Sequence, residues 1–407
     1  MESGLKLQQN WKKTIILFLA SQTVSLFGSS LVHYAITWYI TLKTQSGIMM
    51  TVAIVCGFLP TFLLSPFAGV WADRYNRKRL IILSDSIIAL ATLVIALLFI
   101  LGYESIWLLF VVLVIRGMGT AVQAPTVNAL IPQLVPEEKL TRVNATNGSI
   151  QSIIMLLSPM LSGALLTMAA MEYIFFIDVI TAAAAITTLL FFLKIPSHKK
   201  AAEQIKSGYL NDMSQGYRYI RNHGFVKRII VYSAMFGFLA APAAFLTPLQ
   251  VTRSFGNEVW RLTAIEIVFS IGMMLGGILM ATWGGFKKKT YSMILATAVM
   301  GLFTTALGII PVFWIYLVFM SMIGVAIPVF NTPFTVLLQQ KVEPDFLGRV
   351  FGVFTMVSSV MMPLGMVVFG PLSDLVTIES LLIITGVLIF VEGLLMLRDK
   401  ALKRAEE

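Results

Sequence analysis

Long apolar stretches alternate with short polar ones along the whole chain. A run of about twenty apolar residues crosses roughly 30 Å of hydrocarbon as an α-helix. Lipid offers no hydrogen bonds to the backbone, and the alternating runs of about ten residues that a β-barrel needs are absent from the sequence. The pattern therefore predicts an all-α integral membrane protein with twelve transmembrane helices, near residues 14–40, 49–71, 80–101, 106–130, 145–169, 173–193, 228–252, 262–283, 290–310, 313–338, 350–371 and 377–397.

Composition supports a membrane protein. Hydrophobic residues make up 57% of the chain and charged residues 12%, about half the share in soluble proteins. The first apolar run is too long for a signal-peptide core and contains no small-residue cleavage site, so we expect a retained first span. Cys56 is the only cysteine, which excludes an intrachain disulfide.

The basic residues predict the orientation. With a cytoplasmic N-terminus, 26 of the 30 Lys and Arg residues lie on the inner side, and Arg116 lies within a span. Only Lys43, Arg253 and Arg261 lie on the outer side. The positive-inside rule therefore places both termini in the cytoplasm, and the net charge of +10 reflects membrane orientation rather than nucleic-acid binding.

The longest polar connection divides the chain into halves. We expect six-helix bundles at 1–193 and 228–407, joined by a cytoplasmic linker at 194–227. Apolar residues at helical spacing predict an amphipathic linker helix, acting as a regulatory element or as a tether. The segment "VPEEKLTRV" at Val135–Val143 recurs in outline as "VEPDFLGRV" at Val342–Val350, as in transporters with duplicated halves.

The loop between spans two and three carries an unusual cluster of charge. Gly69 precedes Asp73 by one helical turn, which lets a neighbouring helix approach closely and lets the carboxylate reach that helix's end. A carboxylate near a helix N-terminus gains about 0.3–2 kcal/mol, enough to bias two conformations of similar energy.

This loop resembles a signature of the major facilitator superfamily, Gly69-x-x-x-Asp73-Arg74-x-x-Arg77-Lys78. Arg116-Gly-Met-Gly119 in span four resembles its second signature, without the usual glutamine. A further motif resembles the Gly-Pro motif of the drug antiporters, with serine in place of the first glycine: Ser158, Pro159, Ser162 and Gly163. Within the superfamily the chain resembles the bacterial macrolide-efflux permeases of the drug:proton antiporter group, for example in "GFLP" from Gly57 and "LGRVF" from Leu347.

The resemblance implies two six-helix bundles that alternate access to one cavity between them. It also implies a monomer in the bacterial cytoplasmic membrane that uses the proton gradient and no cofactor. Its partners would be an amphiphilic substrate, lipid and protons. In the family the loop 2–3 aspartate contacts the start of span eleven, so the implied cytoplasmic clasp consists of Gly69, Asp73, Arg74, Arg77, Lys78 and Arg349.

Five ionisable residues inside the spans are candidates for proton coupling or substrate contact: Arg116, Glu266, Asp178, Asp85 and His33. Arg116, at mid-span, costs about 2.5–3.5 kcal/mol to insert, so we expect it to face a cavity or a partner, with a packing arginine as the alternative. Desolvation penalises the charged form of Glu266, which suits a proton carrier, unless it reaches interfacial water.

For the other ionisable residues the sequence favours structural explanations. A structural role is favoured for Asp178, membership of the clasp network for Asp85, and simple hydrogen bonding for His33. Glu392 lies close enough to the end of span twelve to reach the interface.

The remaining candidates are polar and aromatic residues that could line a drug cavity: Gln22, Tyr34, Trp38, Gln123, Asn128 and Asn331. Gly272 and Gly276 form a small-residue pair that favours tight helix packing. The sequence has no phosphate-binding glycine loop, metal-ligand spacing or nucleophile–base pattern, so we expect neither an enzyme nor an ATP-driven pump.

Together these observations predict a proton-coupled antiporter that exports hydrophobic or amphiphilic drugs such as macrolides. The alternatives are an exporter or flippase of the same fold for a siderophore or lysophospholipid, and a non-transporting receptor. Asp73 and Arg116 argue against the receptor, because a scaffold has no need of a costly charge inside the membrane.

Overall fold

The computed structural model describes residues 2–193 and 209–404, and its regular secondary structure there is helical. The α-helices are α1 Glu2–Thr44, α2 Gly47–Arg74, α3 Arg77–Ile100, α4 Ile106–Leu134, α5 Leu140–Met168, α6 Met171–Thr187, α7 Tyr209–Asn222, α8 Gly224–Leu239, α9 Thr247–Ser254, α10 Val259–Trp283, α11 Lys289–Leu307, α12 Phe313–Lys341, α13 Pro344–Leu372, α14 Ile378–Arg398 and α15 Lys400–Arg404.

Within the described residues, 12 helical segments are long and apolar enough to cross a membrane. A π-helical turn, Thr188–Phe192, extends α6, and another, Pro242–Leu246, joins α8 to α9 into one span. The predicted all-α fold and the number of spans are therefore confirmed.

The chain separates into two compact units. Unit 1 contains Met1–Ile40 and Val52–Ile205, and unit 2 contains Thr41–Thr51 and Lys206–Glu407. The turn between α1 and α2 therefore belongs to unit 2, although the helices on either side of it are mostly in unit 1.

The linker helix α7 lies within the region where the sequence predicts an amphipathic helix, and residues 194–208 lie outside the described residues. The helix packs on the first turns of α13, where Tyr219 stacks on Phe346 with 4.7 Å between ring centroids. A Cβ on Gly216 would lie 2.8 Å from the carbonyl oxygen of Arg349, so the two helix backbones approach closely.

The predicted limits of the two bundles and of the linker stay predictions.

Small residues allow neighbouring helices to pack closely in both units. In unit 1, a Cβ on Gly119 of α4 would lie 2.5 Å from Cγ1 of Ile88 on α3. In unit 2, a Cβ on Gly272 or Gly276 of α10 would overlap backbone carbonyl oxygens of α12. The packing role predicted for Gly272 and Gly276 is therefore confirmed, because no larger residue fits at either position.

Candidate functional site

A buried ion pair joins four helices of unit 1. The guanidinium of Arg116 on α4 contacts the carboxylate of Asp178 on α6, and the two side chains are 8% and 0% exposed. Arg116 also donates to Thr92 Oγ1 of α3 at 2.6 Å and to the carbonyl oxygen of Ser29 on α1 at 2.9 Å. Thr92 and Ser29 each donate a hydroxyl hydrogen bond of 3.0 Å to Asp178.

Both charges of this cluster are thereby neutralised and hydrogen-bonded. Arg116 has a partner, as its insertion cost required, and that partner is Asp178. The sequence analysis placed the two residues in spans of the same half but did not pair them. Their opposite charges, in two spans of the same half, were the feature of the sequence that could have predicted the ion pair.

A second polar contact lies two helical turns away from the ion pair, along α3 and α4. Gln123 Nε2 donates to Asp85 Oδ1 at 2.7 Å, whereas Oδ2 of Asp85 is buried without a hydrogen-bond partner among the described residues. Asp85 is 1% exposed. It pairs with Gln123, and because the side chain of Asp73 lies outside the described residues, the expected membership of Asp85 in the clasp network stays a prediction.

The remaining candidates on α1 have different environments. His33 is exposed and lies one turn from Ser29, at the edge of the ion-pair cluster. Trp38 is 1% exposed, so its large ring fills space between helices, and its place in a cavity wall stays a prediction. Tyr34 is half-buried beside Trp38, and Gln22 is buried with its amide nitrogen unpartnered among the described residues.

The antiporter-like motif lies in the buried part of α5. Ser162 donates to the carbonyl oxygen of Leu31 at 3.2 Å and thereby joins α5 to α1. Ser158, Pro159 and Gly163 are also buried, and the Ser158 hydroxyl has no partner among the described residues. Ser162 thus contributes to helix packing within unit 1.

Two basic residues of loop 2–3, Arg77 and Lys78, donate hydrogen bonds to backbone carbonyl oxygens within unit 1. Arg77 donates to the carbonyl oxygens of Ala72 at 2.8 Å and Ala129 at 2.6 Å. Lys78 donates to the carbonyl oxygen of Leu193 at 2.8 Å, and Arg74 is exposed. The guanidinium of Arg349 lies 5.5 Å from the ring centre of Phe346.

The surroundings of Gly69 and the side chain of Asp73 lie outside what the structure describes. The clasp therefore stays a prediction.

Unit 2 contains a cavity of about 280 Å³ among α8, α10, α11, α12, α13 and α14. Its wall is mostly aromatic, methionine and aliphatic, with four side-chain polar groups, and it is lined by Ser233, Phe236, Gly237, Ala240, Ala243, Ala244, Phe269, Met300, Thr304, Met320, Ile323, Ile327, Phe330, Asn331, Phe354, Ser358, Met362 and Ile389. An apolar pocket with a few polar groups is typical of sites for hydrophobic small molecules.

Of the residues predicted to line a cavity, Asn331 does so in unit 2. Asn128, on α4 of unit 1, is exposed.

Two acidic residues inside the spans of unit 2, Glu392 and Glu266, have no counter-charge among the residues that the structure describes. Glu392 on α14 is 1% exposed, and neither carboxylate oxygen has a hydrogen-bond partner among the described residues. It lies near the backbone of Phe236 and three residues after Ile389, and both of these line the cavity. Glu392 does not reach the interface as the sequence suggested, because packing against α8 and α11 encloses it.

Glu266, in the N-terminal half of α10, is half-buried, and no ion pair or side-chain hydrogen bond to it occurs in the described part of the chain. A carboxylate at this depth must bind a proton, a cation or water to be stable. Unit 2 thus places two such groups inside its membrane-spanning helices, and Glu392 lies next to the wall of the cavity.

Comparison with known proteins identifies the family. The model of the Major Facilitator Superfamily matches residues 18–366. Macrolide efflux protein A of Streptococcus pyogenes is 31% identical over 382 residues, covering 93% of this chain and 94% of that protein. Macrolide efflux protein A of Enterococcus faecalis is 30% identical over 323 residues, covering 79% of this chain and 99% of its own.

Among solved structures, the nucleoside transporter NupG superposes with a TM-score of 0.69 at 16% identity, covering 96% of this chain and 98% of that one. This likeness shows the fold. The family model and the relatives at about 30% identity match most of the chain, and the described residues contain 12 candidate spans. The chain therefore belongs to the major facilitator superfamily of transporters.

Proposed function

We propose that this protein is a proton-coupled exporter of hydrophobic or amphiphilic compounds, with macrolides as the first substrate class to test. It works by alternating access in a bacterial cytoplasmic membrane, with both termini in the cytoplasm. Its partners are the substrate, lipid and protons, and it acts as a monomer without a bound cofactor. The observation that carries this proposal is an apolar cavity with an unpaired carboxylate, Glu392, beside its wall.

The cavity supports the choice of substrate. Four phenylalanines and three methionines contribute to its wall, and both residue types tolerate ligands of varied shape. Ser233, Thr304, Asn331 and Ser358 supply hydrogen-bonding groups that can orient a ligand. The names of the two streptococcal and enterococcal relatives point to macrolides as such ligands.

The unpaired acids support proton coupling. A group that carries a proton through a transport cycle must gain and lose it, which a carboxylate already neutralised by an arginine does less readily. In our proposal Glu392 and Glu266 carry protons, and Asp85 with its one unpartnered oxygen is a third candidate. Arg116 and Asp178 hold four helices of unit 1 together.

The test is drug accumulation in an efflux-deficient bacterial host. Cells that express the protein should accumulate less radiolabelled erythromycin than cells with an empty vector, and a protonophore should abolish the difference. The protonophore should be added after loading, with cellular ATP measured in parallel, so that loss of the gradient is separated from loss of ATP.

Three results would contradict the proposal in different ways. Export that persists after the gradient collapses would exclude proton coupling. Export of other amphiphiles but no macrolide would favour a siderophore or lysophospholipid transporter of the same fold. No export of any compound in a broad panel, with the protein shown to be in the membrane, would favour a receptor.

A further inference from the structure

A second glycine-to-aspartate spacing lies at the end of α13. Gly370 precedes Asp374 by four residues, as Gly69 precedes Asp73. The distribution of Lys and Arg predicts that the turn after α13 lies on the outer side of the membrane, opposite to loop 2–3. The sequence analysis singled out neither Gly370 nor Asp374.

The Asp374 carboxylate caps the N-terminus of α2. Its Oδ1 accepts a hydrogen bond of 2.8 Å from the backbone N–H of Gly47, and its Oδ2 accepts bonds of 3.0 Å from the N–H of Ile48 and 2.8 Å from Ser46 Oγ. Arg253 Nη2 completes the set, 2.7 Å from Oδ1. The first N–H groups of a helix lack partners within it, so Asp374 supplies partners and a favourable charge to a helix more than 300 residues away in the chain.

Gly370 allows this approach. A Cβ on Gly370 would overlap the hydroxyl of Thr51 and would lie 3.0 Å from the carbonyl oxygen of Gly47. A Cβ on Gly47 would overlap the carbonyl oxygen of Gly370 in turn. The backbones of α2 and α13 therefore touch one turn before the aspartate, which is the geometry the sequence analysis expected from a glycine spaced in this way.

Arg253 fixes the turn between α1 and α2 as well. It donates to the carbonyl oxygens of Gln45 at 2.5 Å and Ser373 at 2.6 Å, while the Gln45 side chain donates to Asn257 Oδ1 at 2.8 Å. Gln45 has a φ of 47°, a left-handed conformation uncommon outside glycine. The turn is thus held in an unfavourable backbone conformation by contacts with Arg253 and Asn257.

These contacts explain why Thr41–Thr51 clusters with unit 2, while the chain before and after it belongs to unit 1. We propose that Asp374 and Arg253 are positioning residues of the transport cycle, which hold Thr41–Thr51 on unit 2 in one state and release it in the other. This inference rests on the alternating access of the proposed function.

The Asp374 contact does not act as a proton switch. Burial of the carboxylate opposes its charged form, but the N–H groups of Ile48 and Gly47, the Ser46 hydroxyl and Arg253 outweigh it and lower the pKa of Asp374. A lowered pKa means that the stabilisation is present above the usual aspartate range and is lost only as pH falls through the lowered value. Between pH 5.5 and 8 we therefore expect the contact to be independent of pH.

The experiment measures the distance between two spin labels by electron–electron double resonance. Cys56, the only cysteine, is replaced by serine, and labels are attached at Lys43→Cys and Leu375→Cys, both exposed positions. The purified full-length protein is studied in lipid nanodiscs without substrate. The parent should show a short distance for the held segment and a longer one for the released segment.

The variant Asp374→Asn should lower the ratio of short to long distances by about tenfold, the range expected when a charged hydrogen-bond acceptor becomes neutral. Asp374→Glu, which keeps the charge, should retain part of the population with the short distance between the labels. It also provides the test if Asp374→Asn does not fold. The matched control is Glu379→Gln, an acid that accepts a 2.6 Å bond from Ser254 and does not contact Thr41–Thr51. An unchanged ratio in Asp374→Asn, or an equal shift in Glu379→Gln, would overturn the inference.

The distance measurement needs no substrate, so it separates this inference from the proposed function. If the parent exports no drug but the Asp374→Asn distances shift as expected, the proposed substrate is wrong and the contact stands. If the parent exports macrolides but the distances do not change, the inference about Asp374 is wrong and the transport proposal stands.

Discussion

Two buried acids inside the membrane-spanning helices, Asp178 of unit 1 and Glu392 of unit 2, have different surroundings. In unit 1 the deeply buried Asp178 is paired with Arg116 and accepts hydrogen bonds from Thr92 and Ser29. In unit 2 the equally buried Glu392 has no counter-charge among the described residues, and the backbone of Phe236 lies near its carboxylate.

This difference suggests that the two acids have different roles. A buried ion pair with satisfied hydrogen bonds is costly to break and fixes the helices that supply it. A buried carboxylate without partners depends on what reaches it, so its state can change with the transport cycle. We therefore propose a structural role for the unit 1 pair and proton exchange for Glu392 and Glu266, with Asp85 of unit 1 as the third candidate.

The largest effect is expected from Arg116→Leu. It leaves Asp178 buried without its counter-charge, a change that costs about 3–5 kcal/mol of stability in comparable buried pairs. The double variant Arg116→Leu/Asp178→Leu should recover most of that loss, because it removes both charges. Thermal unfolding in detergent, followed by size-exclusion chromatography, measures the comparison. A double variant as unstable as the single one would show that the pair is not a simple structural unit.

The next effect is on transport rather than stability. Glu392→Gln keeps the shape of the side chain but cannot exchange a proton, so proton-driven export should fall on the order of a hundredfold, the lower limit for losing a positioned proton-transfer group. Stability should be unchanged, because no ion pair is lost. The matched control is Glu138→Gln, an exposed glutamate of unit 1. Normal export by Glu392→Gln would remove this residue from the coupling mechanism.

The smallest effect is expected from Asn331→Ala in the wall of the unit 2 cavity. Losing one hydrogen bond of about 0.5–1.5 kcal/mol should change the resistance of expressing cells by about two- to tenfold, to different extents for different macrolides. Minimum inhibitory concentrations across a macrolide panel measure it, with the exposed Asn144→Ala of α5 as the control. A uniform change across the panel would indicate a general loss of protein rather than a contact with substrate.

Much of the fold could be predicted from the sequence because lipid restricts the chain to helices of a narrow range of lengths. The limits of single helices could not, since α1 continues from Thr44 back to Glu2, well beyond its apolar part. The depth of Arg116 predicted a partner, but the identity of that partner depends on how α4 and α6 are rotated. Hydropathy does not report that rotation.

The buried position of Glu392 was missed for a related reason. It lies six positions before the last residue of α14, so its distance along the helix allowed it to reach water. Only its direction, toward α8 and α11, prevents this. Conversely, the physical argument made for Gly69 and Asp73 describes what the structure has at Gly370 and Asp374, where no family signature drew attention to the same spacing.

The most direct test of the account is transport by the purified protein in liposomes. With a pH gradient imposed across the membrane, the parent should accumulate radiolabelled erythromycin against its concentration gradient, and Glu392→Gln should only equilibrate it. Accumulation by the parent that does not depend on the pH gradient, or equal gradient-driven accumulation by parent and Glu392→Gln, would contradict the account.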